Sequence, residues 1–230
     1  MKYKIAIFDL DGTLLDTLQD LANSTNFALS SFGYSERSLE EVRRFVGNGI
    51  EKLIERAVPD GTPSEERSRV LAVFKAHYAE HCEDHTAPYE GIVEVLDRLK
   101  DKGIVIAVVS NKIDFAVKAL CEKYFADRIS VAVGEREGIR RKPYPDSVFE
   151  VLDKTGFVPA EAVYIGDSEV DVQTAEHAGT DMITVTWGFR DKDFLMKSGA
   201  RVFANSADEL EHLILSESAR KSKKTLDKFQ

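Results

Sequence analysis

The sequence predicts an α/β protein: a parallel sheet covered by helices on both faces and interrupted, right after its first strand, by a helical insertion. Three observations predict it. A short apolar run, YKIAIF, opens the chain at residues 3–8. Residues 17–85 then carry four helical patterns and no convincing strand. From Gly91 onward, helical patterns alternate with continuous β-branched runs.

The elements follow in order. Leu18, Leu21, Ala22, Thr25, Ala28, Leu29 and Phe32 fall on one helical stripe, and Gly33 is a natural C-terminal stop. Asp16 with Gln19 can cap this helix. Ser38 and Glu41 have capping-box spacing and open a second helix that reaches about Val46. Gly47-Asn48-Gly49 breaks it, and a third piece over 50–58 stops at Pro59. The run TPSE at 62–65 opens a fourth helix to about residue 84, with Pro63 at the favoured first position.

In the second part, helices over 92–101, 114–124, 146–155 and 169–178 precede the strands IVIAVVSN, ISVAVG, AVYIGD and MITVTWG. A short helix near 191–198 precedes a weak strand, RVF, and a last helix covers about 206–215. YKIAIF belongs with this sheet. The polar, Lys-rich end, SESARKSKKTLDKFQ, has little to bury and reads as a frayed helix or a disordered tail.

Composition narrows the function. At 230 residues the chain can bury a large core without staples. A net charge of −9 argues against nucleic acid or an anionic membrane as partner. No stretch approaches the roughly 20 apolar residues of a membrane span, and the start lacks a signal peptide's long apolar centre. Cys82 and Cys121 lie far apart without metal-ligand spacing and read as reduced thiols of a cytoplasmic protein, expected to be a monomer or weak dimer.

In such a sheet ligands bind beyond the carboxyl ends of the strands. Here those ends carry Asp9-Leu10-Asp11-Gly12-Thr13, then Ser110-Asn111-Lys112, and Gly166-Asp167-Ser168 with Asp171 four residues after Asp167; the loop after the third strand holds Arg140-Arg141-Lys142-Pro143. Each has a bland reading. Asp-Gly is a turn signal, and alone that reading wins for Asp9 and Asp11. Ser110 or Asn111 is expected to cap the helix that starts near Asp114. Arg140 and Arg141 read as solvated charges, and Ser168 with Asp171 matches a capping box.

The conjunction changes the reading. Asp9, Asp11, Asp167 and Asp171 at one edge would repel one another, and a single lysine cannot offset them. A hard divalent cation can, and Mg²⁺ suits a site that also takes phosphate. Asp9, first off the strand, can attack phosphorus and become an aspartyl phosphate. Asp11 can donate a proton to the leaving oxygen and later take one from water. Gly12 lets the backbone approach a ligand, and Thr13 shapes the same turn. Ser110 and Lys142 can hold phosphoryl oxygens, with Asn111 beside them. Asp167 completes the metal site, and Asp171 orients its waters.

These residues resemble the four motifs of the haloacid dehalogenase superfamily. The run DLDGTLLDT at 9–17 matches the first motif in full; Ser110 matches the second; Lys142-Pro143-Tyr144-Pro145 matches the third; Gly166, Asp167 and Asp171 match the fourth. The resemblance covers residues 2 to about 215. It implies a doubly wound, Rossmann-like core (1–15 and 88–215), Mg²⁺, and an aspartyl-phosphate intermediate. It also implies a four-helix cap domain (16–87) that closes over the substrate. FVGNGIEKLIERA and VTWGF are similar to the phosphoglycolate phosphatase-like branch, so the expected substrate is a small phosphorylated metabolite, 2-phosphoglycolate first. Asp11 argues for phosphoryl transfer rather than dehalogenation. Gly47-Asn48-Gly49 reads either as a substrate loop, with Asn48 touching substrate, or as a plain turn. Arg43, Arg44 and Lys52 flank it, and one could meet a substrate carboxylate. Hinges are expected near 14–17 and 87–91. Inorganic pyrophosphatase, sugar-phosphate phosphatase and β-phosphoglucomutase activities fit the same motifs. A phospho-aspartate receiver module is the rival from another class; Asp11-Gly12-Thr13 and the large insertion speak against it.

Overall fold

The computed structural model describes residues 2–216; the expected frayed tail lies outside the described residues, apart from Ser216. In chain order the elements are β1 (Ile5–Phe8), β2 (Leu15–Asp16), α1 (Leu18–Ser31), α2 (Leu39–Phe45), α3 (Ile50–Ala57), α4 (Ser64–His81), β3 (Ala87–Pro88), α5 (Ile92–Asp101), β4 (Val105–Ile113), α6 (Asp114–Phe125), β5 (Val131–Glu135), α7 (Asp146–Thr155), β6 (Ala162–Gly166), α8 (Glu169–Ala178), β7 (Asp181–Val185), α9 (Lys192–Lys197), β8 (Phe203–Ala204) and α10 (Ala207–Leu215).

Six strands form one parallel sheet in the order β5-β4-β1-β6-β7-β8. The first strand is therefore central, with β4 on one side and β6 on the other. The chain leaves β1, builds one half of the sheet, then crosses back to build the other half. Such reversals open a crevice at the carboxyl ends of the strands. The residue after β1 lies in that crevice, because the Asp9 amide donates to the Ile165 carbonyl at 2.8 Å.

Strand alternation sorts the core into two layers. Ala6 and Phe8, with Val108, Val163 and Ile165, pack against α5, α6 and α10. Ile5 and Ile7, with Ala107, Val109 and Tyr164, pack against α7 and α8. Both faces are covered, which is why the strands read as continuous apolar runs rather than alternating ones. Helices α1 to α4 have their own apolar cluster around Leu21, Leu29, Val42, Leu53, Ile54 and Phe74.

Local signals behaved as their chemistry dictates. Ser38–Glu41 and Ser168–Asp171 both form full capping boxes. After α1, the Tyr34 amide donates to the Leu29 carbonyl across Gly33, whose φ is +73°. Three expectations need correction. Ser110 and Asn111 do not cap α6: β4 runs on to Ile113 with a register shift after Val109, and Ile113 occupies the N-cap. Gln19 turns to Asn23 instead of capping α1, while Asp16 accepts from the Leu18 amide at 3.2 Å. Pro63 sits at the N-cap of α4, one residue before the first helical position, and α4 ends at His81. A feature the sequence did not announce is that the two links between sheet and inserted helices pair with each other, Leu15 opposite Pro88 and Asp16 opposite Ala87. This two-residue ribbon is too short to show periodicity in the sequence.

Candidate active site

Asp9, Asp167 and Asp171 converge at the carboxyl ends of β1 and β6, with one carboxylate oxygen from each within 4.8 Å of the others. All three are buried. Buried like charges need a cation or they protonate. Lys142 supplies one from the loop after β5. Its ammonium lies 2.8 Å from Asp9 and 2.7 Å from Asp171, and its side chain is only 3% exposed. Burial alone would lower the Lys142 pKa, but Asp171 and Asp9 outweigh it and hold the group well above the ordinary lysine range.

One lysine is not enough for three carboxylates. Burial first, and then the charges of Asp171 and Asp167, push Asp9 well above the usual carboxylate range despite Lys142. Burial and Asp171 raise Asp167 to about 7, although the Phe189 amide donates to it at 2.7 Å. The remaining deficit is what a bound divalent cation would cancel. The donors fit one: they are carboxylate oxygens, the ligands of hard cations. Asp9 Oδ1 accepts from the Leu10 amide and Lys142, while Oδ2 has no hydrogen-bond partner among the described residues. Asp171 is more committed. It accepts from Lys142, Tyr164, and the amide and hydroxyl of Ser168, so it holds Lys142 and the strand end in place.

The turn between Asp9 and the inserted helices is packed against this cluster. Gly12 has φ +84°, and a Cβ there would lie 2.6 Å from Asp167 Oδ2. Only glycine fits. Thr13 donates its hydroxyl to Asp167 Oδ1 at 3.2 Å, and its carbonyl accepts from the Trp187 indole at 3.1 Å.

Asp11 stands apart from the three clustered carboxylates. Its Oδ1 accepts from Lys112 at 3.1 Å, and the same ammonium donates to the Tyr78 hydroxyl of α4 at 2.6 Å. Burial would lower the Lys112 pKa, but Asp11 and Tyr78 outweigh that and raise it. Two lysines, not one, thus balance the carboxylate edge. Burial raises Tyr78 to about 12, so it stays a phenol. Ser110 is buried and accepts from the Lys112 amide at 3.1 Å. Asn111 donates to the Lys142 carbonyl at 3.2 Å, and its own Oδ1 is buried with no hydrogen-bond partner among the described residues. Both line the cavity.

That cavity has a volume of about 620 Å³ and lies between the sheet edge and helices α3 and α4. Its inserted-helix wall is mostly apolar, with Ile50, Leu53, Phe74 and Tyr78. The Gly47 to Gly49 turn reaches the cavity through Gly47 and Gly49. Asn48 is turned elsewhere: its side-chain oxygen accepts from Arg56 at 2.7 Å. Arg190, after β7, clasps this turn to the core. It donates to the Arg43 and Val46 carbonyls at 3.1 and 2.5 Å and pairs with Glu169 at 2.9 Å. A Cβ on Gly47 would come within 2.9 Å of its guanidinium. Arg43 returns the contact, donating to the Gly188 carbonyl at 3.2 Å. Arg44 and Lys52 pair within their helices. Arg140 pairs with Asp146 on the surface, as expected. Arg141 differs from the expected solvated charge, since it lines the cavity near Glu135.

Sequence reasoning passed over Lys112, Tyr78 and Arg190. Lys112 sat in view beside Ser110, but its partners are 101 and 34 residues away.

The chain matches the haloacid dehalogenase-like hydrolase family over residues 6–185. It is 32% identical over 187 residues to the phosphoglycolate phosphatase of Aquifex aeolicus, covering 81% of this chain and 86% of that one. It is 31% identical over 228 residues to the phosphoglycolate phosphatase of Escherichia coli K12, covering 88% and 89%. A solved structure from Lactobacillus delbrueckii subsp. bulgaricus, described as a candidate phosphoglycolate phosphatase, superposes with a TM-score of 0.91 at 40% identity, covering 94% of this chain and all of that one. The chain belongs to the haloacid dehalogenase-like hydrolases. Within them it falls on the phosphoglycolate phosphatase-like branch. Among the described residues, no helix is long and apolar enough to cross a membrane.

Proposed function

We propose that the protein is a Mg²⁺-dependent phosphatase of a small phosphorylated metabolite, with 2-phosphoglycolate as the leading substrate. The observation that carries this reading is Asp9 at the end of the central strand, held by Lys142 at 2.8 Å beside Asp167 and Asp171. The named relatives support the choice of substrate.

The chemistry assigns roles to this chain's residues. An Asp9 oxygen attacks phosphorus, forming an O–P bond as the ester P–O bond breaks. Asp11 gives its proton to the leaving oxygen, then takes one from the water that attacks the aspartyl phosphate. That second step frees inorganic phosphate and restores Asp9. Lys142 and Ser110 hold the phosphoryl oxygens, and Asn111 with the Gly12–Thr13 turn borders them. Mg²⁺ bound at Asp9 and Asp167 would keep Asp9 ionised and offset phosphoryl charge, with Asp171 orienting from behind. Residues 16–87 act as a cap over residues 1–15 and 88–215, hinged at the β2–β3 ribbon.

The test is turnover of 2-phosphoglycolate beside a panel of metabolite phosphates, with and without Mg²⁺. Asp9→Asn is expected to lose at least about 10⁴-fold in kcat. Full turnover by that variant, with deamidation excluded by mass spectrometry, refutes the nucleophile assignment.

A further inference from the structure

The cavity's cations differ in how completely they are used. Arg190 is spent on Glu169 and two carbonyls. Arg136 is taken by Glu150 and Asp114. Lys142 is bound by Asp9 and Asp171, and its remaining donor serves the phosphoryl group in the reading above. Lys75 is exposed at the cavity rim, and Arg141, 35% exposed, reaches Glu135 only at 3.6 Å, so solvent can serve both. Lys112 differs from them in being buried. An ammonium has three N–H donors. Two go to Asp11 and Tyr78, and no third acceptor exists among the described residues. Tyr78 accepts from Lys112 through its oxygen, and its own O–H has no acceptor among those residues either. The Lys112 side chain is only 8% exposed, so water does not freely satisfy it. Two spare donors therefore sit on atoms 2.6 Å apart at the cavity wall, one from the core and one from the inserted helices, next to Asp11. Buried donors without partners call for an acceptor.

We propose that Lys112 and Tyr78 together form the receptor for a second, anionic group of the substrate: a carboxylate on the leaving group of the phosphate ester. An ammonium N–H and a phenol O–H side by side match the two oxygens of a carboxylate, and charge-assisted bonds are the strong ones. The apolar wall of Leu53 and Phe74 strengthens them further by lowering the local dielectric. Because Lys112 comes from the core and Tyr78 from the inserted helices, such a ligand would also fasten the two together over the reaction site. Lys112 and Tyr78 are then specificity-determining residues: they choose among phosphate esters by what the leaving group carries. This proposal rests on the phosphatase reading above.

The test separates the two. The affinities of 3-phosphonopropionate and propylphosphonate, a carboxylate-bearing and a methyl-ended phosphonate of like size, are measured by calorimetry on the full chain with Mg²⁺ present. Wild type is expected to favour the carboxylate by about 10- to 100-fold. The ratio should collapse towards one in Lys112→Met and fall part of the way in Tyr78→Phe, which removes one donor without leaving Asp11 unpaired. If Lys112→Met does not fold, Tyr78→Phe carries the test alone. Equal affinities in wild type, or a ratio untouched by either variant, overturn the proposal while leaving the phosphatase reading standing. If neither phosphonate binds, both fall.

Discussion

The sheet and the inserted helices solve different problems. The sheet has two apolar layers, one per face, and holds a dense set of buried charges at one edge. The helices have a single apolar cluster and offer the cavity mainly apolar wall, one phenol and a backbone turn. Their grip on the core includes a set of separate polar contacts: Arg190 to two carbonyls, Arg43 to Gly188 and Asp191, Lys112 to Tyr78, Lys123 to Glu83, and the Tyr124 hydroxyl to the Thr86 carbonyl. The difference teaches where rigidity is needed. In the proposed reading the strand-end carboxylates react, and reacting groups must be held within fractions of an ångström, which strand ends over a double core can do. In that reading the helices are a cover that must let substrate in and out, and a two-residue ribbon with separate polar bonds suits that role.

The sharpest way to break the comparison is to remove the sheet edge's own cation. Lys142→Met leaves two buried carboxylates without their partner, and it is expected to cost about 3–5 kcal/mol of unfolding free energy. Denaturant unfolding without metal measures it. A loss below about 1 kcal/mol would mean that the edge does not depend on Lys142.

Next comes pH. Asp167 is raised in the folded state, so the stability linked to it is present below its ordinary pKa and is lost as pH rises through about 7. Between the ordinary value of 3.8 and about 7, this amounts to at most about 4 kcal/mol. Metal-free protein should therefore lose stability from pH 4 to pH 8, and Asp167→Asn should flatten that slope. Added Mg²⁺ should also remove it. An equal slope in Asp167→Asn would assign the effect to another group.

The cover should answer to smaller changes. Arg190→Ala removes the donors that close the end of α2, at an expected cost of about 1–2 kcal/mol. Hydrogen exchange should quicken over residues 43–49 while the amides of β1 and β6 keep their protection. Faster exchange in the strands as well would mean that the two regions unfold as one. The smallest effect is expected at Asn48→Ala. Its carboxamide faces Arg56, so kcat/KM should change less than about twofold. A large fall there would restore Asn48 to the substrate loop.

Much of this was legible in the sequence because it is local. Covered strands read as apolar runs, Ser38 and Ser168 announce capping boxes, and Gly33 ends α1. Asp9-Leu10-Asp11-Gly12-Thr13 marks the acidic strand end within five residues. What stayed hidden depends on partners far along the chain. Asp11 looks like one more member of a carboxylate cluster until Lys112, 101 residues on, takes it. Ser110 and Asn111 look like helix caps until β4 continues past them. Asn48 looks like a substrate contact until Arg56 claims it.

The sequence by itself determined the α/β order, the helical insertion and which residue types meet at the strand ends, because periodicity and turn chemistry act over a few residues. Only the tertiary structure decided which carboxylate meets which lysine, how Arg190 clasps the cover and where unused donors remain. Those outcomes follow from crossovers that bring distant segments within 3 Å of each other, and no local pattern encodes them.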